Sequence, residues 1–165
     1  MTTAVEQMVT VGLGELKWAT EADVVLMALG LGSCIGIALF DPRARVGAMV
    51  HVVLPAPLDS AGSASAKFAT SAVPLLLDKI KSLGGERHRL VCKLAGGAQV
   101  LTNAAMKDNF RIGERNHQAV LDALQKAGLR PQAVECGGTT GRSFRLRMSD
   151  GTVAVKRLGQ DWQEI

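Results

Sequence analysis

Apolar and polar positions change their period several times along this chain, and each change marks an element. Residues 8–11 alternate enough for a short first strand, closed by Gly12-Leu13-Gly14. Residues 24–29 are an unbroken apolar run, the pattern of a buried strand. Two more strands, 34–40 and 46–54, flank Asp41-Pro42-Arg43-Ala44-Arg45. Aspartate followed by proline is turn chemistry, because proline presets φ at the second turn position. The pattern predicts one β-hairpin. Beyond it Pro55, Pro57 and Gly62, with Ser60, Ser63 and Ser65, mark an exposed loop.

From about Ala66 the period lengthens. Phe68, Ser71, Ala72, Leu75, Leu76 and Ile80 recur at helical spacing, and Gly84-Gly85 supplies the stop. Pro74 falls inside this stretch and should kink or delimit the helix. Residues 90–94 read as a short strand running into Ala95-Gly96-Gly97-Ala98. A second helix is predicted over 114–127, with Val120, Leu121 and Leu124 on one face and Gly128 after it. A strand begins at Val134 and meets Gly137-Gly138. The closing elements are a hairpin, 143–148 and 152–156, about a turn at Ser149-Asp150-Gly151. Many strands with two substantial helices predict an α+β fold. With 165 residues and no repeat or linker, the chain reads as one domain over 1–165.

Composition narrows the function classes. Hydrophobic residues make up 47% and charged residues 21%, which suits a soluble globular protein. Aromatics are only 4%, with no tyrosine, so a base-stacking surface is poorly supplied. The net charge of +4 is scattered, and no nucleic-acid-reading motif accompanies it. The longest apolar stretch, 24–31, is too short to cross a bilayer, and the first residues do not read as a signal peptide. Three widely spaced cysteines, Cys34, Cys92 and Cys136, read as free thiols in a reducing compartment. The expectation is a cytoplasmic protein.

The chemistry concentrates at Cys34 and His51. The predicted hairpin starts at one and ends near the other, so a thiol and an imidazole can meet across adjacent strands, the minimum apparatus of a cysteine hydrolase. Gly30, Gly32 and Gly36 permit a turn that aims backbone N–H groups at one point, as an oxyanion hole requires, with Ser33 in that turn. Each residue alone also has a packing explanation, as a buried thiol or a core histidine. A zinc site has no Cys-x-x-Cys or His-x-x-x-His spacing to support it, and no cofactor is expected. The glycine pairs at 96–97 and 137–138 match neither phosphate-binding fingerprint. Cys92 and Cys136 read as strand residues, and His88 and His117 are given no role.

These residues also resemble a known family. Leu29-Gly30-Leu31-Gly32-Ser33-Cys34, Asp41-Pro42, Val46-Gly47-Ala48-Met49, and His51 with Leu54-Pro55 look like the signature of the CheD chemoreceptor glutamine deamidases. Lys93, Gly96-Gly97-Ala98, Ile112-Gly113-Glu114-Arg115-Asn116, Gly137-Gly138 with Gly141-Arg142, and Gly151-Thr152-Val153 continue the likeness in order. The resemblance implies a β-sandwich of mixed or antiparallel sheets with helices outside. It further implies that Cys34 is the nucleophile, that His51 is its base, and that receptor glutamines, or glutamyl methyl esters, are the substrates. Some family members bind a CheC-type phosphatase, which makes that a second expected partner. No nucleic acid, metal or membrane insertion is implied, and a monomer is expected. The family threonine that orients the histidine corresponds to Ala28 here. The backbone carbonyl of Ala28 is the expected substitute, with Thr70 and Ser33 as alternative hydroxyls.

Two other functions stay open at this level. The domain could be a weakly active or inactive deamidase fold that regulates receptors or the phosphatase by binding. It could also act on a different amide, such as a free amino-acid side chain. The 56–66 loop, placed directly after His51, is the expected contributor to substrate choice.

Overall fold

The structure, a computed structural model, describes residues 4–59, 64–100 and 111–165. Its strands are β1 (Gln7–Thr10), β2 (Leu16–Ala19), β3 (Val24–Leu31), β4 (Ile35–Asp41), β5 (Val46–Val52), β6 (Val91–Gly96), β7 (Ala133–Cys136), β8 (Arg142–Arg147), β9 (Val153–Arg157) and β10 (Gln163–Glu164). The helices are α1 (Ala69–Ser82) and α2 (Ile112–Lys126), with a short 3-10 turn at Arg87–Arg89.

The strands form two mixed five-stranded sheets. One runs β1-β3-β8-β9-β10, the other β2-β5-β4-β6-β7. One apolar cluster lies between the sheets, built on Leu26, Leu31, Ala38, Met49, Phe144 and Leu146. A second lies between the β5/β4/β6 sheet and the helices, with Ile37, Val50, Leu76, Leu94, Val120 and Leu124. The fold is therefore α+β with three layers: sheet, sheet, helices.

This layering explains the sequence pattern of the hairpin. Every residue of β4 and β5 is buried, because sheet covers one face and helices cover the other. Strands enclosed on both sides need no polar alternation. The β4–β5 register pairs Ile35 with Val52, Gly36 with His51 and Asp41 with Val46. At the turn, Asp41 accepts N–H donations from Arg43 and Ala44, the side-chain-to-backbone bonding that makes aspartate a turn former. It also accepts from Glu86 and the Arg89 guanidinium, tying the hairpin to the 3-10 turn.

Several expectations are adjusted. The helix expected to stop or bend at Pro74 runs unbroken from Ala69 to Ser82. Pro74 and Thr70 are both exposed, so the Thr70 carbonyl that loses its N–H partner faces water. The structure adds two edge strands to the expected elements: β2 has only four residues and β10 two, too short for a periodic pattern to mark them. The 56–66 loop lies partly outside the described residues. Of its described part, Leu58 is fully exposed.

Candidate active site

Cys34 stands one residue before β4, and His51 is the penultimate residue of β5. Partners that face each other in an antiparallel pair project to the same face, and alternate residues share it. His51 is opposite Gly36, and Cys34 is two residues before Gly36, so Cys34 and His51 project to the same side. That side is the gap between the sheets, where Cys34 packs against the inter-sheet cluster. They are diagonal neighbours, a spacing of roughly 7 Å between backbones that two side chains can close. Gly36 keeps the position opposite the imidazole clear. A Cβ there would lie 2.5 Å from a ring carbon of Phe144.

The loop after β1 fixes His51. Its N–H donates to Glu15 O, and its carbonyl accepts from Gly14 N. Its Nδ1 lies 3.1 Å from the Val11 carbonyl oxygen. A carbonyl only accepts, so Nδ1 carries the proton and the lone pair of the neutral ring sits on Nε2. His51 is 4% exposed, and Nε2 is buried without a hydrogen-bond partner. The orienting acceptor is therefore Val11, not Ala28. Ala28 is a buried β3 residue opposite Phe144, and the hydroxyls of Ser33 and Thr70 make no bond to the ring. Only tertiary structure could reveal this, because a backbone carbonyl leaves no mark in side-chain identity.

The cysteine loop is gripped from outside. Three successive carbonyls are each taken: Gly32 O by Ala98 N at 2.8 Å, Ser33 O by Asn116 Nδ2 at 2.9 Å, and Cys34 O by Gly97 N at 2.8 Å. Among the described residues, the N–H groups of Ser33 and Cys34 donate to no protein group. The close approach of β6 and α2 requires glycine. A Cβ on Gly96 would stand 2.1 Å from Cys34 O, and one on Gly113 2.6 Å from Gly97 O. The glycine pair at 96–97 thus serves the cysteine loop, not a phosphate. The preceding bulge in β3, with Gly30 at φ +60, turns the chain into that loop.

Cys34 is partly exposed, and burial raises its thiol above the ordinary range. A thiol shifted in that direction needs a base to become a nucleophile. Cys92 is buried in β6 and Cys136 ends β7; burial pushes both thiols up to about 12. Neither is poised to react. His88 is exposed beside Glu86, whereas burial lowers the half-buried His117 on α2. No group of three potential metal ligands exists among the described residues. No helix among them is long and apolar enough to cross a membrane.

A cleft of about 830 Å³ adjoins the cysteine loop, lined by Gly30, Val100, Thr140, Arg142, Lys156 and Leu158. Arg142 is buried and holds its wall together through the carbonyls of Glu135, Gly137 and Thr140. A smaller hollow lies at the opposite end of the hairpin, between the end of α1 and the 3-10 turn.

Fold and site define a two-sheet α+β protein in which a thiol and an imidazole project to the same face of the central hairpin, toward the gap between the sheets. A family model described as CheD chemotactic sensory transduction matches residues 53–157. The protein named probable chemoreceptor glutamine deamidase CheD of Symbiobacterium thermophilum is 43% identical over 94% of this chain and 95% of its own. That of Archaeoglobus fulgidus is 41% identical over 93% of this chain and 97% of its own. A Bacillus licheniformis protein titled hypothetical protein YfiH superposes with TM-score 0.45 at 10% identity, covering 83% of this chain and 62% of that one. The chain belongs to the CheD family.

Proposed function

We propose that this protein is a chemoreceptor glutamine deamidase in which Cys34 is the nucleophile and His51 the general base. The observation that carries this reading is the partnerless Nε2 of a histidine whose Nδ1 is already committed to Val11. With Nδ1 committed to a carbonyl, such a ring exchanges protons through Nε2. Full-length likeness to proteins named for receptor glutamine deamidation supplies the substrate class.

In the reaction, Nε2 takes the thiol proton as Sγ attacks the side-chain carboxamide carbon of a glutamine. The carbonyl oxygen becomes an oxyanion, for which the free N–H groups of the Ser33–Cys34 turn are the donors. The imidazolium returns its proton to the departing nitrogen, which leaves as ammonia and gives a thioester on Cys34. Water, losing a proton to Nε2, then attacks the thioester. Glutamate departs and the thiol is restored, so one water is consumed and one ammonia released. The Val11 carbonyl keeps the imidazolium oriented through both halves, the part other triads give to a side chain. A glutamyl methyl ester would follow the same path with methanol as the leaving group.

The receptor segment would reach Cys34 along the cleft bordered by Lys156 and Leu158. The reading places the protein in the cytoplasm as a monomer. A CheC-type phosphatase is its second partner on family grounds alone. The test is incubation with a receptor cytoplasmic fragment: each converted glutamine adds about one dalton, because OH replaces NH2. Cys34→Ala should abolish the gain. A gain that persists in Cys34→Ala refutes the assignment of the nucleophile.

A further inference from the structure

Among the described residues, Asn116 is the one side chain that grips the 32–34 loop, and its role rests on the deamidase reading above. It lies in the first turns of α2 with 0% exposure. Its Nδ2 is 2.9 Å from Ser33 O and 2.9 Å from Val53 O. Both contacts are carbonyl oxygens, so the amide orientation is forced and both of its protons are used. Its Oδ1 is left buried without a partner. An apolar residue of similar volume would remove the unmet Oδ1 but take the Nδ2 donor from the Ser33 and Val53 carbonyls, so the site keeps the donors at the cost of one unpaired oxygen.

Those donors act on two places that matter. Val53 follows directly on the strand that carries His51, and Ser33 shares a peptide bond with Cys34. No peptide among the described residues is cis, so the Ser33 carbonyl and the Cys34 N–H point in opposite directions. Drawing the carbonyl toward α2 turns the N–H away from it. The helix covers one face of the sheet and the thiol packs on the other. We infer that Asn116 is the positioning residue of this site: it sets the Ser33–Cys34 peptide so that the Cys34 N–H becomes the oxyanion donor, and it fixes that peptide to the end of the His51 strand. The other loop carbonyls are held by backbone N–H groups, so no substitution at a single side chain duplicates its effect.

The test compares wild type, Asn116→Ala and Asn116→Leu, the last retaining bulk so that one variant folds. Glutamine deamidation of a receptor fragment and alkylation of Cys34 by iodoacetamide are measured on each. Alkylation displaces iodide from a saturated carbon and forms no oxyanion, so it reports the thiol and His51 without the proposed donor. For a variant that melts cooperatively, kcat should fall about 10²- to 10³-fold. KM should stay within about threefold of wild type, and the alkylation rate within about twofold across the pH range. Unchanged kcat overturns the inference and leaves the deamidase reading intact. A parallel loss of alkylation also overturns it, because Asn116 would then support the thiol generally. A wild type that alkylates normally yet converts no glutamine refutes the deamidase reading, and the inference with it.

Discussion

Replacing Gly96 by alanine tests how tightly the β6 end controls the nucleophile. Gly96 has φ +116, a conformation L-residues rarely adopt. The new Cβ would also stand 2.1 Å from the Cys34 carbonyl oxygen, against the 3.0 Å floor that real Cβ atoms respect. Relieving that overlap moves the oxygen by about 1 Å, a displacement that costs on the order of 10²-fold in rate when it misplaces a reacting group. Gly84→Ala separates the two effects. Its φ is +90, yet nothing lies within 4 Å of its Cβ, so only backbone strain applies. That strain is about 1 kcal/mol, which lowers Tm by about 3 °C in a domain of this size. Gly96→Ala adds the clash and weakens the Gly97 N–H bond to Cys34 O, for a total of about 3 to 4 kcal/mol and about 10 °C. Scanning calorimetry and the receptor-fragment assay are run on both variants. If Gly96→Ala melts within about one degree of Gly84→Ala, or deamidates at the wild-type rate, the close approach does not position Cys34.

Ala28→Thr, which restores the family hydroxyl, should not raise kcat, since Nδ1 of His51 is already bonded to Val11. The added atoms enter a fully buried position and should cost about 1 to 3 kcal/mol in a melting experiment; a several-fold gain in kcat would overturn the Val11 assignment. Burial opposes charge on Asp41, but the Arg89 guanidinium and the N–H groups of Ala44, Glu86 and Arg43 outweigh it and hold the carboxyl well below its ordinary value of 3.8. A carboxyl depressed in the folded state stabilises fully above its unfolded pKa and loses that contribution as pH falls through the folded value. Asp41→Asn should therefore lower stability by about 3 kcal/mol at pH 7, since Arg89 is left without its buried partner. The gap in Tm should narrow once the pH drops below about 4. A gap that stays constant down to the acid limit contradicts the ionised pair.

Much of the site was legible because it is local. The Asp41-Pro42 turn fixes the hairpin, the hairpin fixes strand parity, and parity puts Cys34 and His51 on one face. The same reasoning found both helices and the closing hairpin, since periodicity is a property of consecutive residues. Pro74 misled because the cost of proline depends on whether the orphaned carbonyl reaches water, which is decided by the helix's orientation on the sheet. Asn116 stood in a motif without a role, because an asparagine's worth depends on which acceptors meet it.

The amino-acid order by itself determined the elements, the α+β class and the two reactive side chains. Folding alone decided that Val11, in the loop after β1, supplies the carbonyl that selects the imidazole tautomer. It likewise brought the glycines of β6 and α2 against the cysteine loop. Side-chain chemistry is written residue by residue, whereas backbone oxygens are the same everywhere and acquire a function only from where the chain puts them.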